Sequence, residues 1–276
     1  MHFSIKNFYK PRNAEEALDY FQNNPDKSVF LSGGTSLAKN NLSRFDTIID
    51  VKSNFSKSIK ASKDYFIISG STNLQDILEN NELNDNFDNF FKKYFGLIGN
   101  WQIRNMATIA GSIASRVGWS DVISLLLLLD TELEVVNKNG SEWIKFDEIN
   151  KGLSKGDLIT NIKIHKNKPN CGYKRFSRTE FDIALFNCGV ALSLKENKIE
   201  SVKVVFGSTP ITGKRYRDIE NEMINKDIYE VIEIIPELID KHFDGKSSPF
   251  ISKEYRKELA KVYMRRLLEE LSGVKK

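Results

Sequence analysis

Ser28-Val29-Phe30-Leu31-Ser32-Gly33-Gly34-Thr35-Ser36-Leu37 decides how this chain is read. The apolar run Val29 to Leu31 predicts a short strand, and the glycine pair directly behind it predicts a turn at the strand's end. Glycine carries no Cβ, so backbone N–H groups at such a turn can converge on phosphate oxygens. Ser32, Thr35 and Ser36 add hydroxyl donors. The same chemistry recurs at Thr108-Ile109-Ala110-Gly111-Ser112, also read as following extended sequence. A diphosphate has enough oxygens for two such loops at once. Each loop also reads as an ordinary strand-end turn, and the residues alone leave both readings open. Neither loop has the G-x-G-x-x-G spacing of a Rossmann dinucleotide turn, and no phosphate-loop lysine motif occurs. A Rossmann dehydrogenase and a P-loop ATPase are therefore disfavoured.

Upstream of the first loop, Asn13 is placed to cap a helix running to about Asn23, with Glu15 and Glu16 in its positive first turn. Downstream, Thr47–Val51 and Phe66–Gly70 read as strands and Asn73–Glu79 as a helix. Asn86–Phe95 is aromatic-rich and helical, and Asp121 opens a short leucine-rich helix whose continuous apolar character predicts full burial. Leu133–Val136 is a strand closed by the Asn139-Gly140 turn, and Leu158–His165 alternates as an edge or half-buried strand does. Lys, Asn, Pro and Gly cluster at residues 166–172, which sets a boundary. Beyond it, Ala184–Leu194 and Ile199–Gly207 form a hairpin about Lys195-Glu196-Asn197-Lys198. Ile228–His242 and Ser252–Leu271 carry apolar residues at helical spacings. The expected class is α+β, with a mixed N-terminal portion followed by a sheet with helices on one side.

Bulk properties exclude several functions. The net charge of +4 is small and dispersed over 276 residues, so nucleic acid is not an expected partner. Two isolated cysteines, Cys171 and Cys188, cannot hold an iron–sulfur cluster or a zinc ion, and the three histidines lie in no metal-binding or nucleophile spacing. The run Val122–Leu129 is too short to span a membrane, and Met1–Lys6 has no apolar stretch behind it. A soluble cytoplasmic protein is the expectation.

Three blocks, Phe30–Leu37, Ile98-Gly99-Asn100-Trp101-Gln102-Ile103-Arg104-Asn105 and Ala107–Ala114, resemble the FAD-binding subunits of molybdenum hydroxylases. That family includes the flavin subunits of xanthine dehydrogenase and aerobic carbon monoxide dehydrogenase. Tyr173-Lys174-Arg175-Phe176-Ser177-Arg178, Asp182-Ile183-Ala184, Ser252–Arg256 and Arg265-Arg266 extend the resemblance over nearly the whole chain. It implies an FAD-binding domain of the vanillyl-alcohol oxidase/p-cresol methylhydroxylase type, with two subdomains, over residues 1–167. A C-terminal α+β domain like that of carbon monoxide dehydrogenase flavoproteins, covering the flavin, is implied over 168–276.

Carried over by position, Phe30, Leu31, Ser32, Gly33, Gly34, Thr35, Ser36 and Leu37 would surround the FAD diphosphate, with Thr108, Ile109, Ala110, Gly111 and Ser112 opposite. Asp121 takes the place of an acidic FAD ligand and also reads as a helix cap. Ile98 and Ile159 match apolar contacts. Lys174 matches a cation near the flavin ring, where it would stabilise charge developing on reduction. No catalytic acid or base is implied. Two departures stand out: Ala110 replaces a usual glycine, and Arg116-Val117-Gly118-Trp119 replaces a small-Ser-Pro stretch.

The resemblance implies an electron-transfer subunit. A molybdopterin large subunit would oxidise substrate, an iron–sulfur small subunit would deliver electrons to FAD, and NAD⁺ or another acceptor would take them. A stand-alone flavin oxidase or reductase of the same fold is the alternative, and a protein that kept the fold without FAD is a third reading.

Overall fold

The computed structural model describes residues 5–39, 44–52, 55–149, 153–167, 170–209 and 212–274. Residues 168 and 169 of the expected boundary, and residues 1–4 of the N-terminal segment, lie outside that set. The chain divides into two compact units. One comprises 1–96, 100–115 and 131–166; the other comprises 97–99, 116–130 and 167–276. Two short segments of the N-terminal portion thus pack with the second unit.

The first unit opens with β1 (Asn7–Tyr9), α1 (Ala14–Asn23), β2 (Ser28–Leu31) and β3 (Thr47–Asp50). The strands pair in parallel in the order β1-β3-β2. Parallel strands of one sheet need a crossover, and α1 supplies the one leading from β1 to β2, which lie on either side of β3. Asn13 caps α1 by accepting the Glu16 N–H, as its sequence predicts. Ala17, Leu18 and Phe21 on the helix's inner face bury against Ile49, Val51 and Leu158.

Glu16 ties this helix to β1. Its carboxylate accepts the Tyr9 hydroxyl, the Arg12 backbone N–H at 2.8 Å and the Arg12 Nε at 3.0 Å. The Tyr9 hydrogen bond, then the two from Arg12, hold its pKa down to about 2. The contribution of these contacts is present above the unfolded value of about 4.3 and is lost as pH falls through about 2. A carbon-13 carboxyl titration should show a Glu16 midpoint near 2; an ordinary glutamate midpoint would refute the arrangement.

The rest of the unit is an antiparallel sheet flanked by short helices. Its strands are β4 (Ile59–Ala61), β5 (Tyr65–Ser69), β6 (Thr131–Asn137), β7 (Gly140–Lys145) and β8 (Leu158–His165), in the order β4-β5-β8-β6-β7. The alternation in β8 correctly marks a strand with one face more buried than the other, but β8 is central, not an edge. Alternation reports which face is covered and says nothing about backbone neighbours.

Helices α2 (Leu74–Glu79), α3 (Asn81–Asn86), α4 (Phe90–Phe95), α5 (Trp101–Met106) and α6 (Ile109–Ala114) follow β5. The expected helix at 86–95 starts later, because Asp88 and Asn89 adopt positive φ. Phe87, Phe90, Phe91 and Phe95 form an edge-to-face or tilted chain with ring centroids 5.2–5.5 Å apart, an arrangement that adds to simple burial.

The second unit is built on β9 (Asn170–Phe176), β10 (Phe186–Lys195), β11 (Lys198–Gly207) and β12 (Lys214–Arg215), antiparallel in the order β12-β11-β10-β9. The β10–β11 hairpin turns at Glu196 and Asn197, both at positive φ, which matches the right-handed twist of the strands. Helices α8 (Arg217–Met223), α9 (Ile228–His242) and α10 (Lys253–Ser272) cover one face, with Phe186, Cys188, Val190, Val204 and Phe206 of the sheet in the shared core. Gly172 lets α10 approach, since a Cβ there would sit 2.6 Å from Leu267. The other face receives α7 (Asp121–Leu126), all six of whose residues are buried.

Candidate functional site

A cleft of about 290 Å³ opens in the first unit where β2 ends, at the lower end of the range for small-molecule sites. Phe30, Leu31, Ser32, Gly33, Gly34, Thr35, Ser36 and Leu37 line it, facing Thr108, Ala110, Gly111 and Ser112. Ile159 lines it from β8.

The two loops are held together by contacts that need glycine. A Cβ on Gly33 would lie 2.1 Å from the Met106 carbonyl oxygen and 2.9 Å from the Ala107 Cα. Gly34 sits at φ +75°, the left-handed region glycine enters without steric cost. Ser32 Oγ and Thr108 Oγ1 are 2.8 Å apart and close the bridge.

Counting donors separates the loops. The Ile109 N–H donates to Thr72 O and the Ala110 N–H to Gly70 O. The Gly111 N–H donates to the Thr108 hydroxyl oxygen, and the Ser112 N–H to Thr108 O. The N–H groups of Ile109 to Ser112 in the second loop are therefore engaged. By contrast, the N–H groups of Gly33, Gly34, Thr35 and Ser36 have no partner among the described residues. Consecutive unpaired N–H groups around a left-handed glycine form an anion-binding concavity. The second loop also differs in origin from its reading as a strand end. It joins α5 to α6, with Thr108 as the cap of α6.

Ala110 fits without strain. It lies in α6 with φ below zero, and its methyl occupies space left by Gly70, whose own Cβ would come within 2.9 Å of it. Gly70, Ser71, Asp157 and Leu158 line the cleft beside it, and Val29, Val51 and Phe55 add an apolar wall. Sequence reasoning missed these because their roles depend on pairing between distant strands. Arg44, also missed, brings the cleft a guanidinium packed over the Phe45 ring.

Four expected site residues are placed elsewhere. Ile109 is fully buried, its side chain in the core and its backbone in the loop. Ile98, Asp121 and Lys174 belong to the second unit and do not line the cleft. Lys174 shares the helix-covered face of β9 with Gly172, and its ammonium pairs with Glu270 of α10 at 2.9 Å. The lysine that the resemblance places near a flavin ring is ion-paired here.

Asp121 is not the cap of α7; Ser120 is, accepting the Ile123 N–H. The Asp121 carboxylate is a buried hub. It accepts the Tyr173 hydroxyl at 2.5 Å and Asn187 Nδ2 at 3.2 Å, with Arg175 3.6 Å away. Burial pushes its pKa up despite the opposing pull of Arg175, Tyr173 and Asn187. Burial also pushes the Tyr173 phenol well up, with Asp121 adding to it. The departing stretch 116–119 docks nearby: the Thr212 hydroxyl donates to Arg116 O, and the Ser208 N–H to Gly118 O. Arg116 and Ser208 both take positive φ to make these contacts.

The chain is similar to the glyceraldehyde dehydrogenase medium chain of Sulfolobus acidocaldarius, at 27% identity over 96% of this chain and 98% of that one. It is similar to the xanthine dehydrogenase FAD-binding subunit of Escherichia coli O157:H7 at 22% identity, over 97% and 96% respectively. Its fold matches a chain of carbon monoxide dehydrogenase from Hydrogenophaga pseudoflava with a TM-score of 0.90, at 17% identity over 99% of both chains. Residues 172–271 match the carbon monoxide dehydrogenase flavoprotein C-terminal domain. Residues 2–166 match the FAD-binding domain of molybdopterin dehydrogenases, and the chain belongs to that family of oxidoreductase flavoproteins, the FAD-binding subunits of molybdenum hydroxylases.

Proposed function

We propose that the first-unit cleft holds FAD, with its diphosphate over the N–H groups of Gly33, Gly34, Thr35 and Ser36. The observation that carries this placement is the run of four unpaired N–H groups beside a left-handed glycine. Ser32, Thr35 and Ser36 add hydroxyl donors at the same wall. The apolar wall of Val29, Val51, Phe55 and Leu158 suits a stacked or edge-packed ring.

In this reading the protein binds and orients, and FAD when bound supplies the redox chemistry. The second loop works as a buttress, since its N–H groups from Ile109 to Ser112 are engaged internally. Electrons enter from an iron–sulfur small subunit after a molybdopterin large subunit has oxidised the substrate, and they leave to NAD⁺ or another acceptor. The assembly is a cytoplasmic heteromer. Among the described residues no helix is long and apolar enough to cross a membrane.

Purified protein is expected to carry or take up FAD in a one-to-one ratio, released on denaturation and read from its absorbance. Protein that stays colourless with added FAD would refute the placement. Stopped-flow mixing of the FAD-loaded chain with NADH tests the acceptor. Bleaching of the flavin favours NAD⁺, and its absence directs attention to another acceptor.

A further inference from the structure

We infer that Thr108 is a positioning residue that turns the Ser32 hydroxyl into a donor aimed at the cofactor's phosphoryl oxygens. The inference rests on the placement of the FAD diphosphate at the first loop. Thr108 is 1% exposed. Its hydroxyl oxygen already accepts the Gly111 N–H at 3.2 Å. A buried hydroxyl hydrogen requires an acceptor of its own. Among the described residues the acceptor within reach is Ser32 Oγ, at 2.8 Å. The order of donation is thereby fixed: the Gly111 N–H donates to Thr108, and the Thr108 O–H donates to Ser32.

Ser32 must then direct its own hydrogen elsewhere. It is half-buried, lines the cleft, and has no other partner among the described residues. That hydrogen points into the cleft beside the unpaired N–H groups of Gly33 to Ser36 and adds a donor to that wall. Such a wall suits phosphoryl oxygens, which only accept. Thr108 acts on this wall through Ser32.

The test is a double-mutant cycle read by FAD titration, with riboflavin, which has no phosphate, as the control probe. Thr108→Val and Ser32→Ala are each expected to weaken FAD binding about tenfold, the size of one hydrogen bond to a charged group. The double variant should bind no more weakly than either single one, and riboflavin binding should be the same in all. Thr108→Ser, which keeps the hydroxyl and the helix cap, should match the wild type. Losses that multiply in the double variant would overturn the inference, because Thr108 would then act independently of Ser32. A tenfold loss in Thr108→Ser, or equal losses for riboflavin, would also overturn it. Wild-type protein that takes up no FAD would overturn the diphosphate placement itself, and this inference with it.

Discussion

Replacing Gly33 by alanine is expected to remove FAD retention almost completely and to lower the stability of the first unit by about 3 kcal/mol, the upper end of ordinary overpacking costs. The added methyl would lie 2.1 Å from the Met106 carbonyl oxygen and 2.9 Å from both the Met106 carbonyl carbon and the Ala107 Cα. All three are backbone atoms, so no rotamer change relieves the clash. Nor can that backbone retreat, because the Ala107 N–H donates to Ile103 O, Ala107 O accepts the Leu74 N–H, and Asn105 O accepts from Asn73. The first loop must move instead, which pulls Ser32 from Thr108 and disperses the unpaired N–H groups. Gly34→Ala provides the contrast. It meets only the Leu31 side chain, at 3.2 Å, and its cost of about 1–2 kcal/mol comes from φ +75°. Thermal melting and the flavin content of the purified variants check both. A Gly33→Ala protein with wild-type melting and full flavin would show that the loops do not meet as described.

The second large effect is expected at Asp121. Asp121→Ala leaves the Arg175 guanidinium, 7% exposed, without its carboxylate, and takes from the Tyr173 hydroxyl and Asn187 Nδ2 the acceptor they share. Breaking a buried pair from one side costs about 3–5 kcal/mol. The lower end applies, because burial already disfavours the ionised carboxylate here. Tyr173→Phe, which removes one hydrogen bond, should cost only about 1 kcal/mol. The pH dependence has a definite sign. The folded pKa of Asp121 is raised, so its contribution is fully present below the unfolded value of about 3.9 and is lost as pH rises through the folded value. The stability advantage of wild type over Asp121→Asn, followed by urea unfolding, should therefore shrink as pH rises from acid toward neutral. An advantage that grows with pH would contradict the burial argument.

How much of this was legible beforehand depends on whether a feature is local. The strand Ser28–Leu31, the cap Asn13, the helix Ile228–His242 and the turn at Glu196-Asn197 all depend on neighbours in sequence, and the residues state them directly. The glycine loops were legible as chemistry, and thirteen of the expected residues meet in one cleft. Hydrogen-bond accounting was not legible. The residues Thr108–Ser112 look as capable of holding phosphate as Ser32–Ser36, and only the partners at Gly70 and Thr72 show that the Ala110 and Ile109 N–H groups are engaged. Helix α5 was also hidden, because a helix with no buried residue has no apolar stripe to detect. Asp121 reads naturally as a cap or a ligand, and its hub role required knowing that β9 and β10 bring Tyr173, Arg175 and Asn187 to it.

The interleaving of the two units bears on how the chain is made. It passes between them at residues 96/97, 99/100, 115/116, 130/131 and 166/167. When a ribosome has released the first 166 residues, Val122, Ile123, Leu125 and Leu126 already exist, but the strands that bury them have yet to emerge. During synthesis this stretch is a naked apolar segment waiting for its sheet, the kind of surface that chaperones shield.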